Sequence, residues 1–133
     1  MAAQPEVAAT RGKQPRPNSL PVSPDVGRCE VIITYQVRPG HEGDFTVLAG
    51  REMDTVLAEP LRKFGGRRTL SRDPKSALRW LERIEFPSRA HFSGYDDSLA
   101  TCRKLSSIEA LLDEILDNSR CDFTVRDVDK PAA

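Results

Sequence analysis

The side chains in this sequence best suited to chemistry are few: His91, Glu82, Tyr35, Trp80 and Tyr95. His91 follows an apolar alternating segment and falls about one turn into the helix that succeeds it. Histidine is the residue type best suited near neutral pH to general-base work on an acidic substrate proton. The plainer reading is a helix-surface imidazole, or one paired with a carboxylate such as Glu85. His41 lies at a loop-to-helix junction and reads as exposed. The two histidines are isolated, and neither an HxxxH nor a His-x-Glu pattern occurs, so spacing gives no metal site and no cofactor is expected.

Trp80 and Tyr35 fall on separate apolar strands, where their rings could stack on a planar ligand and offer hydrogen bonds; core packing is the competing use. Glu82 shares a strand face with Trp80. A carboxylate among apolar neighbours needs a cationic partner or gives up its charge, and Arg51 and Arg83 are the partners considered. Tyr95, with Asp96 and Asp97 beside it, is a candidate for a pocket mouth, although paired aspartates more often cap a helix. Cys102 stands near Arg103 and Lys104, whose charge favours a thiolate. Nothing in the sequence locates a base for it. Gly65-Gly66-Arg67-Arg68 leads into a strand rather than a helix, which argues against a phosphate loop, and its arginines read as a solvated strand end.

The surrounding chain narrows the classes of function. Lysine plus arginine equals aspartate plus glutamate at 20 each, so no net basic field draws nucleic acid or an anionic membrane. No apolar run approaches the roughly 20 residues of a membrane span. Cys29, Cys102 and Cys121 are odd in number and far apart, which excludes a disulfide framework and a CxxC metal knuckle. With no secretory leader pattern at the start, a reducing cytoplasm is the expected location.

Periodicity divides the chain into a proline-rich segment, residues 1–27, expected to be disordered; a domain over 28–128; and a flexible end, 129–133. Cys29, Val31, Ile33, Tyr35 and Val37 alternate as a strand until Pro39-Gly40. Phe45, Leu48, Ala49, Met53, Val56 and Leu57 make a helical stripe over about 41–58, which Pro60 ends or bends. Two strands follow, about 66–71 and 77–86, joined at Asp73-Pro74-Lys75-Ser76 as a hairpin. A short helix starts near Ser88 and is interrupted near Gly94. A stronger one starts at Ser106, which has capping-box spacing to Glu109, and carries Ile108, Leu111, Leu112, Ile115 and Leu116. A last strand covers about 121–128. Strand, helix, strand, strand, helix, strand is an α+β, ferredoxin-like βαββαβ order. Two helices cover one sheet face, and the other keeps apolar side chains that a second copy would bury, so a homodimer is expected.

The run Tyr35-Gln36-Val37-Arg38-Pro39-Gly40-His41-Glu42-Gly43-Asp44-Phe45 resembles the V-x-P-G-x-E-x-x-F opening of the antibiotic-biosynthesis monooxygenase-like family. Trp80 to Phe92 is similar to that family's third strand and following helix. The resemblance spans about residues 29–128. It implies a dimeric α+β barrel with a pocket in each subunit, between sheet and helices. Some members oxidise aromatic polyketides with dioxygen and neither metal nor flavin, and others degrade haem. The haem-degrading pattern needs an asparagine on the first strand and a Trp–His pair on the second helix. Here the first strand has no asparagine and Trp80 falls on the third strand.

The expectation is therefore a cofactor-independent monooxygenase-type enzyme for a small aromatic or polyketide-like metabolite, with His91 as base and Tyr35, Trp80, Glu82 and Tyr95 around the substrate. The alternatives are a non-catalytic small-molecule-binding or regulatory dimer, and an acid–base cyclase or isomerase.

Overall fold

A computed structural model describes residues 27–128; the expected N-terminal tail, up to residue 26, and the C-terminal end from 129 lie outside the described residues. Strand β1 (Cys29–Gln36) is followed by one long helical stretch: α1 (Glu42–Phe45), a π-helical segment (Thr46–Glu52) and α2 (Met53–Lys63). Then come β2 (Arg67–Arg72), β3 (Arg79–Phe86), α3 (Arg89–Leu99), α4 (Arg103–Ile115) and β4 (Asp122–Asp127), with a 3₁₀ turn at Asn118–Arg120 before the last strand. The sheet is antiparallel throughout, in the order β2-β3-β1-β4. This is the α+β, ferredoxin-like arrangement read from the alternation pattern.

Three local expectations are replaced. Pro60 does not end the first helical stretch, which continues to Lys63. The buried or half-buried Leu57, Leu61 and Phe64 anchor the turns on either side of the proline, which offsets its missing N–H bond. Gly94 does not interrupt α3. It is the close-packing point of that helix: a Cβ there would collide with the Phe64 ring. Helix α4 begins at Arg103 rather than Ser106, so no capping box forms. The Ser106 hydroxyl donates instead to the Cys102 carbonyl at 3.3 Å.

The core lies between the helices and one sheet face. Cys29, Val31 and Tyr35 from β1, Val37 just after it, and Ile84 and Phe86 from β3 meet Phe45, Ala49, Met53, Leu57, Tyr95, Leu105, Ile108, Leu112 and Ile115 from the helices. On the opposite face Ile32 and Leu81 are half-buried among polar neighbours, and Glu30, only 5% exposed, accepts from Arg83 at 2.8 Å and Arg126 at 2.9 Å. No helix among the described residues is long and apolar enough to cross a membrane.

Candidate functional site

The strand register assembles a polar centre inside the helix-covered face. Tyr35 sits opposite Trp80 and Ile33 opposite Glu82, while Leu70 faces Glu82 from the other side. Side chains alternate with period two. Arg68, Glu82 and Tyr35 therefore fall on one diagonal across three neighbouring strands, all on the same face. Glu82 is 2% exposed. Its Oε1 accepts from the Tyr35 hydroxyl at 2.5 Å, and its Oε2 accepts from Arg68 Nε.

Arg68 comes from an edge strand, yet its side chain is only 3% exposed. Its fork is fully used: Nη1 donates to Asp54 Oδ1 at 2.7 Å and Nη2 to the Ala49 carbonyl at 2.5 Å. Burial alone lowers the pKa of this guanidinium, but the Glu82 charge and hydrogen bond, with Asp54, outweigh burial and raise it. The partner of Glu82 is thus neither Arg51 nor Arg83. Arg51 is exposed in the π segment, and Arg83 lies on the opposite sheet face with Glu30. The solvated strand end holds for Arg67, 81% exposed at its side chain, and fails for Arg68. Two-residue spacing puts Arg68 on the face of Leu70, but that face is known to be inward only from the pairing of Leu70 with Glu82.

Phe45 is fully buried over this centre, with ring centroids 5.2 Å from both Tyr35 and Trp80. Trp80 Nε1 is buried and has no hydrogen-bond acceptor among the described residues. Tyr95, on α3, is buried with its ring 5.0 Å from Phe86. Burial, and then the Glu82 charge, raise its pKa. Tyr35, Trp80, Glu82 and Tyr95 therefore share one interior. His91 does not join them. It is exposed in the first turn of α3, where its Nδ1 lies 2.7 Å from the hydroxyl of Ser88, the residue that caps the helix by accepting from the His91 amide. His41 is paired with Asp44 at 3.1 Å.

This burial has a pH signature. Tyr35 is held protonated by burial, by the Glu82 charge and by its hydrogen bond to Glu82, far above the ordinary value of 10.0. Burial likewise pushes the Cys29 thiol from 9.0 up to about 11. Above these ordinary values the unfolded chain has released the protons while the folded chain keeps them. Stability is then full below about pH 9 and declines as pH rises past it. Both tyrosines of the chain are of this kind. A spectrophotometric titration should show no phenolate absorbance near pH 10 until the protein unfolds. A phenolate step there, with native near-ultraviolet circular dichroism, would contradict this placement.

No protein-family model and no curated protein matches the sequence. Solved structures do match in shape. A NIPSNAP family protein from Agrobacterium tumefaciens superposes with a TM-score of 0.62 at 12% identity, covering 74% of this chain and 90% of that one. SnoaB, a cofactor-independent oxygenase from Streptomyces nogalater, superposes with a TM-score of 0.59 at 14% identity, covering 79% and 96%. The chain has the fold of the antibiotic-biosynthesis monooxygenase-like proteins. A candidate antibiotic biosynthesis monooxygenase from Caulobacter crescentus matches equally well, with a TM-score of 0.60 at 14% identity over 80% of this chain and 93% of that one. At these identities the likeness is one of fold.

Proposed function

We propose that this chain is a cofactor-independent monooxygenase-type enzyme for a small, planar, enolisable aromatic, working at the Tyr35–Glu82–Arg68 centre beside Trp80. The observation that carries the reading is an indole N–H without an acceptor among the described residues, in the same interior as a carboxylate fixed by two donors. An orphaned buried donor is costly unless something accepts from it, and the oxygen of a developing enolate is a suitable acceptor. Glu82 takes one proton from the substrate carbon as general base. Dioxygen then oxidises the enolate. In the net reaction a CH₂ group becomes a ketone, one oxygen atom enters the product and the other leaves as water. Tyr35 and Arg68 hold the carboxylate in place, and His91 is outside this reading because its ring faces solvent beside Ser88. The oxygenase activity of a protein of the same fold supports the reaction class.

The protein is proposed to work as a homodimer in the cytoplasm, with a second copy covering the sheet face that carries Ile32, Leu81 and a buried Thr34 hydroxyl that has no partner among the described residues. A monomer in sedimentation at working concentration would remove that part. The direct test of the activity is dioxygen uptake by purified, chelator-treated protein over a panel of anthrones and hydroquinones. Uptake with stoichiometric ketone formation is expected for at least one anthrone. No turnover across the panel would count against the enzyme reading.

One observation favours a second reading, a non-catalytic binding module. Both Glu82 oxygens and all three Arg68 nitrogens already have protein partners. That reading expects panel compounds to bind, by calorimetry, without consuming oxygen.

A further inference from the structure

Tyr35, Phe45 and Glu82 are 8%, 0% and 2% exposed, so any ligand that reaches them must pass an element that moves. The long helix above them contains such an element. At the end of the π segment the Met53 amide bonds to the carbonyls of Leu48 and Gly50, five and three residues back, and skips that of Ala49, four back. The wide turn therefore takes from the Ala49 carbonyl the donor an α-helix would supply. Arg68 Nη2 provides a replacement at 2.5 Å, and Nη1 of the same side chain grips Asp54 on the next turn at 2.7 Å. A side chain from the edge of the sheet thus bonds a carbonyl that the Met53 amide passes over, while its Nε is fixed to Glu82 in the interior.

We infer that Arg68 is a latch: by capping the Ala49 carbonyl and holding Asp54 it keeps residues 46–52 in the π register, and its release lets this stretch return to an α register and uncovers the interior centre.

The geometry of the change follows from helix parameters. Moving one residue out of the wide turn rotates the part of the helix before it by about 100° relative to the part after it. Phe45, which lies immediately before the segment and packs on Tyr35 and Trp80, is carried off those rings. Two packings of a short segment, differing by one hydrogen-bond register, are a recognised form of two-state element. Because the latch and the buried carboxylate share one guanidinium, a ligand that draws Arg68 or neutralises Glu82 weakens the hold on the helix. The role in ligand access rests on the reaction centre proposed above; the latch itself does not.

The test uses native-state hydrogen exchange together with acrylamide quenching of Trp80, the one tryptophan in the chain. Arg68→Lys keeps a cation opposite Glu82 but lacks the fork that spans three acceptors. Amides of residues 46–54 should exchange about tenfold or more faster than in the unchanged protein, with β1 and β3 still protected, and Trp80 should become more quenchable. Asp54→Ala removes only the outer grip, from a side chain that is 72% exposed, and should speed the same amides about two- to fivefold. Unchanged exchange at 46–54, or acceleration spread evenly over helices and strands, overturns the latch. If Arg68→Lys does not fold, Asp54→Ala decides alone by the same criteria. Neither outcome depends on oxygen uptake. A working latch in a protein that consumes no oxygen would leave this inference standing and count against the oxygenase.

Discussion

Arg68→Met should cost about 3–5 kcal/mol of folding stability, measured by urea unfolding, because it strands the Glu82 carboxylate inside the domain. The replaced side chain is 3% exposed, and methionine, though shorter, is of similar volume, so lost packing contributes the smaller part. What disappears is the cation beside Glu82 Oε2 and the donor to the Ala49 carbonyl. A small domain has only about 5–15 kcal/mol of total stability, so the loss approaches the whole of it. The double variant Arg68→Met with Glu82→Met separates the causes. Replacing both members of a buried ion pair by apolar groups is commonly close to neutral, so it should recover most of the lost stability. The part not recovered belongs to the Ala49 carbonyl and Asp54. A single variant as stable as the unchanged protein would mean that Glu82 is not confined with Arg68.

Phe45→Ala should cost about 3–5 kcal/mol for a different reason. Phe45 is fully buried and meets Tyr35 on one side and Trp80 on the other. Truncation leaves a cavity walled by two aromatic rings. The helix is tied to the sheet through Arg68 and cannot simply collapse into the space. An apolar cavity of this kind takes up small aromatics. Indole or benzene added at millimolar concentration should raise the melting temperature of Phe45→Ala and leave that of the unchanged protein alone, by the linkage of binding to folding. Equal responses of the two proteins would contradict the position of Phe45 over the centre.

How far the sequence discloses this arrangement differs from residue to residue. The strands at Cys29–Gln36 and Arg79–Phe86 were legible because inward and outward side chains alternate without a break. Tyr35, Trp80 and Glu82 could be placed on inward faces for the same reason. Arg68 was not legible. Its strand is short, its neighbours are polar, and its inward orientation appears only once the turn at Asp73–Ser76 fixes the register with β3. The opposite fates of Arg67 and Arg68 show how much one position of register decides. The π segment was also hidden. Its apolar residues suit an α-helical stripe, and the wide turn is visible only in the hydrogen bonds of Met53. Gly94 read as a break because glycine is a poor helix former, whereas its missing side chain is what admits the Phe64 ring. His91 stands out in the sequence by residue type and by its place one turn into a helix, whereas its short distance to Ser88 is a consequence of the helix cap.

The proposed chemistry turns on where the working base lies: inside, at Glu82, or on the surface, at His91. One comparison separates these. Steady-state oxygen uptake on a substrate found active in the panel should be measured side by side for Glu82→Gln and His91→Ala, with the folded fraction of each recorded. Glu82→Gln should lose about a hundredfold or more in kcat, and His91→Ala should stay within about twofold of the unchanged protein, as suits a base on one side and a solvent-facing imidazole on the other. Full turnover in folded Glu82→Gln, with activity lost in His91→Ala, would contradict it.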